Sequence, residues 1–301
     1  MVFGHIPVER AAQLIADVTG AGCSTGWISG VLARTADALG EAERLIKTLT
    51  RQAHLVHVDE TSLNVAGGKQ WLHVACTSKL TAYHLHPSRG RAAVDEFGVL
   101  PGFTGVVVHD ALSVYDGEAY RTAAHALCGA HLARELVAAE AHPDRAWPAA
   151  ALDALFDLHD AAHAARGDGL NHIPPETLDP LLHRWRHAIL CGLATHPRRP
   201  GRKQSKTRNL LERLRGRDEQ VLRFARDLRV PFTNNQAERD LRPVKTQIKI
   251  SGCHRSESGA RAWLRVRGYI STARKNRINV LDAIRDATTG NPWTPIAAAA
   301  T

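Results

Sequence analysis

The sequence predicts an α/β protein: a mixed sheet, antiparallel hairpin strands followed by parallel ones, flanked by helices and interrupted by an all-helical insertion. Three observations carry that expectation. Apolar runs and period-two alternation fall within residues 53–128, in a chain whose remaining pattern is helical. Two of the runs, His54-Leu-Val-His-Val-Asp59 and Gly105-Val-Val-Val-His-Asp110, stop at an acid. From 147 to about 228 only helical spacings occur, with breaks at 167–175 and 197–208.

Residues 8–18 and 28–47 place Leu, Ile, Val and Ala three and four apart, which predicts two helices. Gly20, Gly22 and Gly26 separate them, and Ser24 or Thr25 is positioned to cap the second. Such a pair is expected to brace the core rather than to form a helix-turn-helix. Strands at 54–59, 71–76 and 80–85 follow, joined by turns at Gly67-Gly68 and Thr77-Ser78-Lys79. A short helix at 92–100 precedes the β-branched strand 105–110, whose continuous apolar run predicts burial on both faces. A further strand at 125–128 leads into a helix at 130–140. Beyond the insertion, Asn234 can cap a helix that Pro243 is expected to stop, followed by a basic loop and helices at 257–275 and 280–288. The expected organisation is a helical segment (1–50), the first part of the sheet domain (51–142), the insertion (143–228), the last part of that domain with C-terminal helices (229–290), and a frayed tail (291–301).

At 301 residues, 44% hydrophobic and 23% charged, the chain can bury one large core with an insertion or two modest ones, which excludes a disordered class. The formal charge is +9. More than half of the Lys and Arg lie between Arg198 and Arg277, so the expected partner is a polyanion, by default nucleic acid. Five cysteines without a Cys-x-x-Cys pair signal neither a zinc ribbon nor a disulfide framework, and point to a reducing compartment. Cys128 and His131 have ligand-like spacing, but zinc needs two further ligands and no matching pair is evident, so zinc is not expected. The start, Met1 to Pro7, is too short and too polar to read as a signal peptide, and no run of about 18 apolar residues could span a bilayer. The expectation is a cytoplasmic protein without membrane association.

Acids at strand ends are costly unless cations compensate them. Asp59 and Asp110 are expected at the C-terminal edge of the sheet, and hard oxygen ligands there favour Mg²⁺ or Mn²⁺. Glu238 suits a third ligand, because Asn234 and Asn235 precede it by one turn on the same helical face. Two ions about 3.5–4 Å apart would activate a water or a 3′-hydroxyl and stabilise the departing oxygen, so no protein nucleophile is needed. Arg239, Arg242, Lys245 and Lys249 flank this acid as a basic ridge suited to phosphates, and some of Arg261, Arg265, Arg267, Arg274 and Lys275 are expected to extend it, the others forming a solvated helix face. Glu60, beside Asp59, should face the other way along the strand as a surface or supporting acid. His57 and His109 are expected to be buried partners rather than ligands.

Three blocks then carry a resemblance: His57-Val-Asp-Glu-Thr61 with Trp71-Leu-His-Val; Val108-His-Asp110 with Tyr115 and Cys128-Gly-Ala-His-Leu-Ala-Arg-Glu135; and Asn234-Asn-Gln-Ala-Glu-Arg-Asp-Leu-Arg-Pro243 with Lys249-Ile-Ser-Gly-Cys-His-Arg-Ser, Gly259-Ala and Thr272-Ala-Arg-Lys. In order and spacing they resemble the insertion sequence 66 transposases, of the DDE class. The resemblance implies a ribonuclease H-like fold, and metal-dependent DNA cleavage and strand transfer by Asp59, Asp110 and Glu238 with two Mg²⁺ or Mn²⁺ ions. It implies His131 and Arg134 near the site, element ends and target DNA as partners, a homodimer on DNA, and a bacterial nucleoid location without a small-molecule substrate. Ala111-Leu112 and His254 stand where the family commonly has aromatics. Family members begin with a coiled-coil, zinc-binding and helix-turn-helix region that this sequence lacks, so the chain is expected to be a truncated product or a catalytic fragment. A silent DNA-binding remnant and a structure-specific nuclease remain the alternatives.

Overall fold

The structure, a computed structural model, describes residues 1–140 and 146–295. In chain order it runs α1 (Val8–Thr19), α2 (Thr25–Ala38), α3 (Gly40–Arg51), β1 (Leu55–Val65), β2 (Gly68–Cys76), β3 (Thr81–His86), α4 (Arg91–Phe97) and β4 (Val106–His109). After two 3₁₀ turns come β5 (Ala124–Leu127), α5 (Gly129–Glu140), α6 (Ala146–Gly167), α7 (Pro175–Thr195), α8 (Lys206–Gly216), α9 (Asp218–Val221) and α10 (Arg223–Arg226). The chain closes with α11 (Asn235–Ser251), α12 (Glu257–Lys275) and α13 (Val280–Thr288). The strands form a five-stranded mixed sheet of order β3-β2-β1-β4-β5, antiparallel through β1–β3 and parallel between β4 and β5. With flanking helices this is the predicted α/β, ribonuclease H-like class. The chain divides into two compact units: Met1–Gly105, Ser113–Ala123 and Asn235–Thr301, and Val106–Leu112 with Ala124–Asn234.

In the first unit, the long hairpin β1–β2 pairs Asp59 with Val74 and Glu60 with His73. α11 packs on β1 and β2, and α12 packs on β3. The N-terminal helices brace α12. Ser24 caps α2 by accepting from the Trp27 N–H at 3.0 Å, and Arg265 of α12 donates to Ala36 O (3.0 Å) and Glu43 (2.7 Å). In the second unit, α6, α7 and α8 pack around Trp147, Trp185, Leu155, Leu158 and Leu211, all 3% exposed or less.

Three expectations are corrected. The second predicted helix is two, α2 and α3, parted at Leu39. β1 does not stop at Asp59. Buried Leu63 and Val65 carry the alternation six residues further, so Asp59 lies inside a strand while Asp110 directly follows one. Nor does Pro243 stop its helix: α11 runs on to Ser251, and the predicted basic loop is helical. A proline in a helix interior costs about 3 kcal/mol or more. Ala237, Leu241 and Val244, all fully buried against the sheet on both sides of Pro243, offset it. The boundary expected at 142/143 and the end of the predicted tail, 296–301, lie outside the described residues.

Candidate active site

The second unit carries one group of candidates at the ends of β4 and β5. Val106, Val107, Val108 and His109 are all buried, which anchors the strand before it reaches Asp110. The parallel register places His109 beside Leu127, and the Cys128 N–H continues the ladder onto His109 O at 3.0 Å. Asp110 and Cys128 are therefore neighbours one step past the strands. Ala111 sits in left-handed backbone (φ 64°), a conformation costing a residue with a side chain about 1–2 kcal/mol, and its N–H donates to His109 Nδ1 at 3.2 Å. With Nδ1 accepting, the His109 ring carries its proton on Nε2, which faces His125 Nδ1 at 3.2 Å. Burial foremost, then His125 and Arg217, pushes His109 down to about 3, so it is a neutral buried partner, as expected.

The corner into α5 is fixed by Gly129. Its N–H donates to Phe232 O at 2.8 Å, and a Cβ there would enter the Phe232 ring. That clamp lays 232–234 along the strand ends. The Asn234 N–H donates to Cys128 Sγ at 3.2 Å, and the buried Asn234 Nδ2 points to Asp110 Oδ1 at 3.5 Å. His131, on the first turn of α5, brings Nδ1 to 3.1 Å from Asp110 Oδ1. The exposed Arg134 reaches His131 Nε2 at 3.3 Å and Ala130 O at 3.2 Å. Asp110, Cys128 and His131 converge as a group with ligand atoms within 4.8 Å of one another. Burial pushes the Cys128 thiol up, against the backbone N–H groups of Asn234, His131 and Ala130, which pull it down.

The first unit supplies the other candidates. Asp59, half-buried in β1, accepts from the Glu60 N–H at 2.8 Å. Glu60 turns to the opposite face, as alternation requires, but is not a surface acid. Its side chain is 4% exposed, gripped by Arg89 (2.6 and 2.9 Å) and by the Tyr115 hydroxyl (2.9 Å). Glu238 occupies the first turn of α11, half-buried, beside the exposed Asn235.

From Glu238, the residues at i+4, i+7 and i+11 are Arg242, Lys245 and Lys249, all exposed on one face of α11. The continuation through Pro243 makes them one line, roughly 16 Å long at 1.5 Å per residue. Among the described residues, no hydrogen bond or ion pair occupies these three head groups. Arg239, on the flank, donates to Gln236 at 2.9 Å.

The expected extension of this track along α12 is corrected. Arg261 pairs with Glu257, Arg265 with Glu43, and Arg274 lies over the Phe3 ring. Arg267 is 5% exposed. Lys275 spends its three protons on Asp240 (2.5 Å), Thr77 O and Leu80 O (2.8 Å each). Sequence periodicity marks these residues as basic without showing which acids and carbonyls wait for them. Two groupings were likewise missed. Asp110 joins Cys128 and His131 through strand register, and Asp240 meets Lys275 through helix packing; neither leaves a local spacing signal.

The family model described as Transposase IS66 family matches residues 3–262, most of the chain. No curated protein matches it.

Proposed function

Because the chain belongs to the IS66 transposase family, we propose that it cleaves DNA strands and transfers them to target DNA with Asp59, Asp110 and Glu238 as the acids that hold two Mg²⁺ or Mn²⁺ ions. No described helix is long and apolar enough to cross a membrane. The donor chemistry fits such ions: three carboxylates, each half-buried and so reachable from solvent, offer hard oxygens. Bound there, two ions supply the activation of a water or DNA 3′-hydroxyl and the stabilisation of the departing oxygen.

The protein's own residues hold and orient. Asn234 restrains the Asp110 carboxylate within the second unit, with His131 Nδ1 3.1 Å from it. The Glu60 N–H restrains Asp59 in the first. Arg242, Lys245 and Lys249 bind successive backbone phosphates and position the scissile strand at Glu238. His131 and Arg134 support the phosphate or the acids. The segment 143–228 is an insertion between the two parts of the catalytic domain, and two copies act together on DNA.

The observation that carries this reading is the line of uncommitted cations headed by Glu238. A carboxylate followed at one-turn spacing by three unpaired cations suits a metal ligand at one end of a phosphate track. Nicking of supercoiled plasmid with Mg²⁺ or Mn²⁺ tests it. Metal-dependent nicking by the native chain that disappears in Asp110→Asn is expected, and strand-transfer products separate a transposase from a nuclease. Binding without cutting by both proteins would support the silent remnant instead. Equal cutting by both would remove Asp110 from the chemistry.

A further inference from the structure

We propose that Asp110, Cys128 and His131 form a binding site for a single soft divalent ion of the zinc class, built wholly within the second unit. The strand register sets Asp110 beside Cys128, and α5 brings His131 back over the pair one turn later. One oxygen, one sulfur and one imidazole nitrogen thus converge from three backbone positions held by the β4–β5 ladder and the Gly129–Phe232 hydrogen bond.

The geometry around His131 favours an ion over a hydrogen bond. Its Nδ1 is buried and 3.1 Å from Asp110 Oδ1, yet makes no hydrogen bond to it or to any other described group. A nitrogen and an oxygen this close, with no hydrogen bond between them, stand near the spacing of two ligands on one ion. Around a tetrahedral zinc, with Zn–N and Zn–O near 2.1 Å, two such ligands stand about 3.4 Å apart. A small shift therefore closes the site. Thiolate and imidazole select zinc-like ions over Mg²⁺.

The protein gives three ligands and leaves the fourth position open. The His131 and Asp110 side chains are 35% and 28% exposed, so an ion can enter from that side. Cys128 releases its proton to buffer on binding. A ring ligating through Nδ1 carries its proton on Nε2, and the exposed Arg134 guanidinium, now at 3.3 Å, moves off it. Occupation withdraws Asp110 from any magnesium pair, so the site is inhibitory. That consequence alone rests on the catalytic reading of Asp110.

Cobalt titration of the full chain tests the site. The background carries Cys191→Ser and Cys253→Ser, because both thiols are exposed and Cys191 Sγ lies 3.8 Å from His187. One equivalent of Co²⁺ is expected to give a thiolate-to-cobalt charge-transfer band that Zn²⁺ abolishes. Cys128→Ala should remove the band. His131→Ala, which keeps the buried thiol, should weaken affinity by more than about tenfold, the loss already typical of a partner one shell further out. Absence of the band in the native background, or its survival in Cys128→Ala with unchanged affinity in His131→Ala, overturns the proposal. Asp59→Asn separates the two readings. It should keep the band while losing Mg²⁺-dependent nicking, so a band without nicking in any protein sinks the catalytic reading and leaves the zinc site standing.

Discussion

Lys275 Nζ stands 2.5 Å from Asp240 Oδ2, with its remaining protons on the carbonyls of Thr77 and Leu80. Thr81 Oγ1 donates to the same carboxylate oxygen at 3.1 Å, and the Tyr83 hydroxyl donates to Asp240 O at 2.5 Å. Both charged side chains are largely buried, at 13% and 8% exposure. This cluster ties α11 and α12 to the start of β3, and so fixes the helix that carries Glu238. Lys275→Met would leave a buried carboxylate unpaired, which costs about 3–5 kcal/mol. Chemical denaturation should show that loss, and Asp240→Leu in the same chain should recover most of it. A change in the salt dependence of DNA binding, measured where Lys275→Met remains folded, would show instead that Lys275 reaches phosphates.

The line on α11 behaves differently. Arg242, Lys245 and Lys249 are exposed, and no described group occupies them. Each change to Ala should therefore lower the slope of log affinity against log salt by about one. Stability should stay within about 0.5 kcal/mol. Fluorescence anisotropy with a short duplex at several salt concentrations measures the slope. An unchanged slope in the triple variant would detach the track from DNA.

The contrast between these two sets shows what was legible in the sequence. Strands and helices could be read because each has its own period. The turn of the β1–β2 hairpin and the helices α12 and α13 fall close to where turn residues and apolar spacing put them. Asp59 was misplaced to a strand end because Thr61, Ser62 and Asn64 interrupt the apolar run, although Leu63 and Val65 continue the buried face. Pro243 was read by its local cost, whereas the packing of Leu241 and Val244 on β1 and β2 decides the outcome. Among cations, Lys245 and Lys275 look alike in sequence. Only the acid at 240, 35 residues before Lys275, distinguishes them. The same holds for Asp110 and Cys128, which strand register joins.

Gly129 carries a steric prediction. A Cβ at this position would lie within the Phe232 ring, which is itself packed by Phe224 (4.8 Å) and His159 (4.5 Å). Overpacking of this kind costs about 1–3 kcal/mol. Gly129→Ala should therefore be destabilised by that amount, and should shift Asn234 and with it Asp110, because the 129–232 hydrogen bond sets their position. Phe232→Leu, which clears the ring edge, should restore part of the stability of Gly129→Ala in the double variant. Full native stability in Gly129→Ala alone would show that the corner is plastic.

His84 gives the pH dependence. Its ring stacks on Phe97 at 5.3 Å between β3 and α4. Burial foremost, then Lys47, His73, Arg261 and His86, pushes it down to about 3, and Glu96 at 3.4 Å does not reverse the shift. The unfolded chain takes up a proton here near pH 6.5, while the folded chain takes it only near pH 3. Between those values the unfolded state binds more protons, so stability rises with pH across the window and falls on acidification. His109 adds to the slope in the same direction. His84→Phe keeps an aromatic ring against Phe97 and removes one titrating group. Unfolding free energies measured from about pH 6 down to about pH 4 should therefore show a slope smaller by roughly one proton than in the native chain. Carboxylates remote from His84 contribute equally to both proteins and cancel in the difference, and Glu96→Gln in both backgrounds removes the one that lies beside it. Identical slopes would mean that His84 keeps access to protons in the folded state and that the β3–α4 layer opens around it.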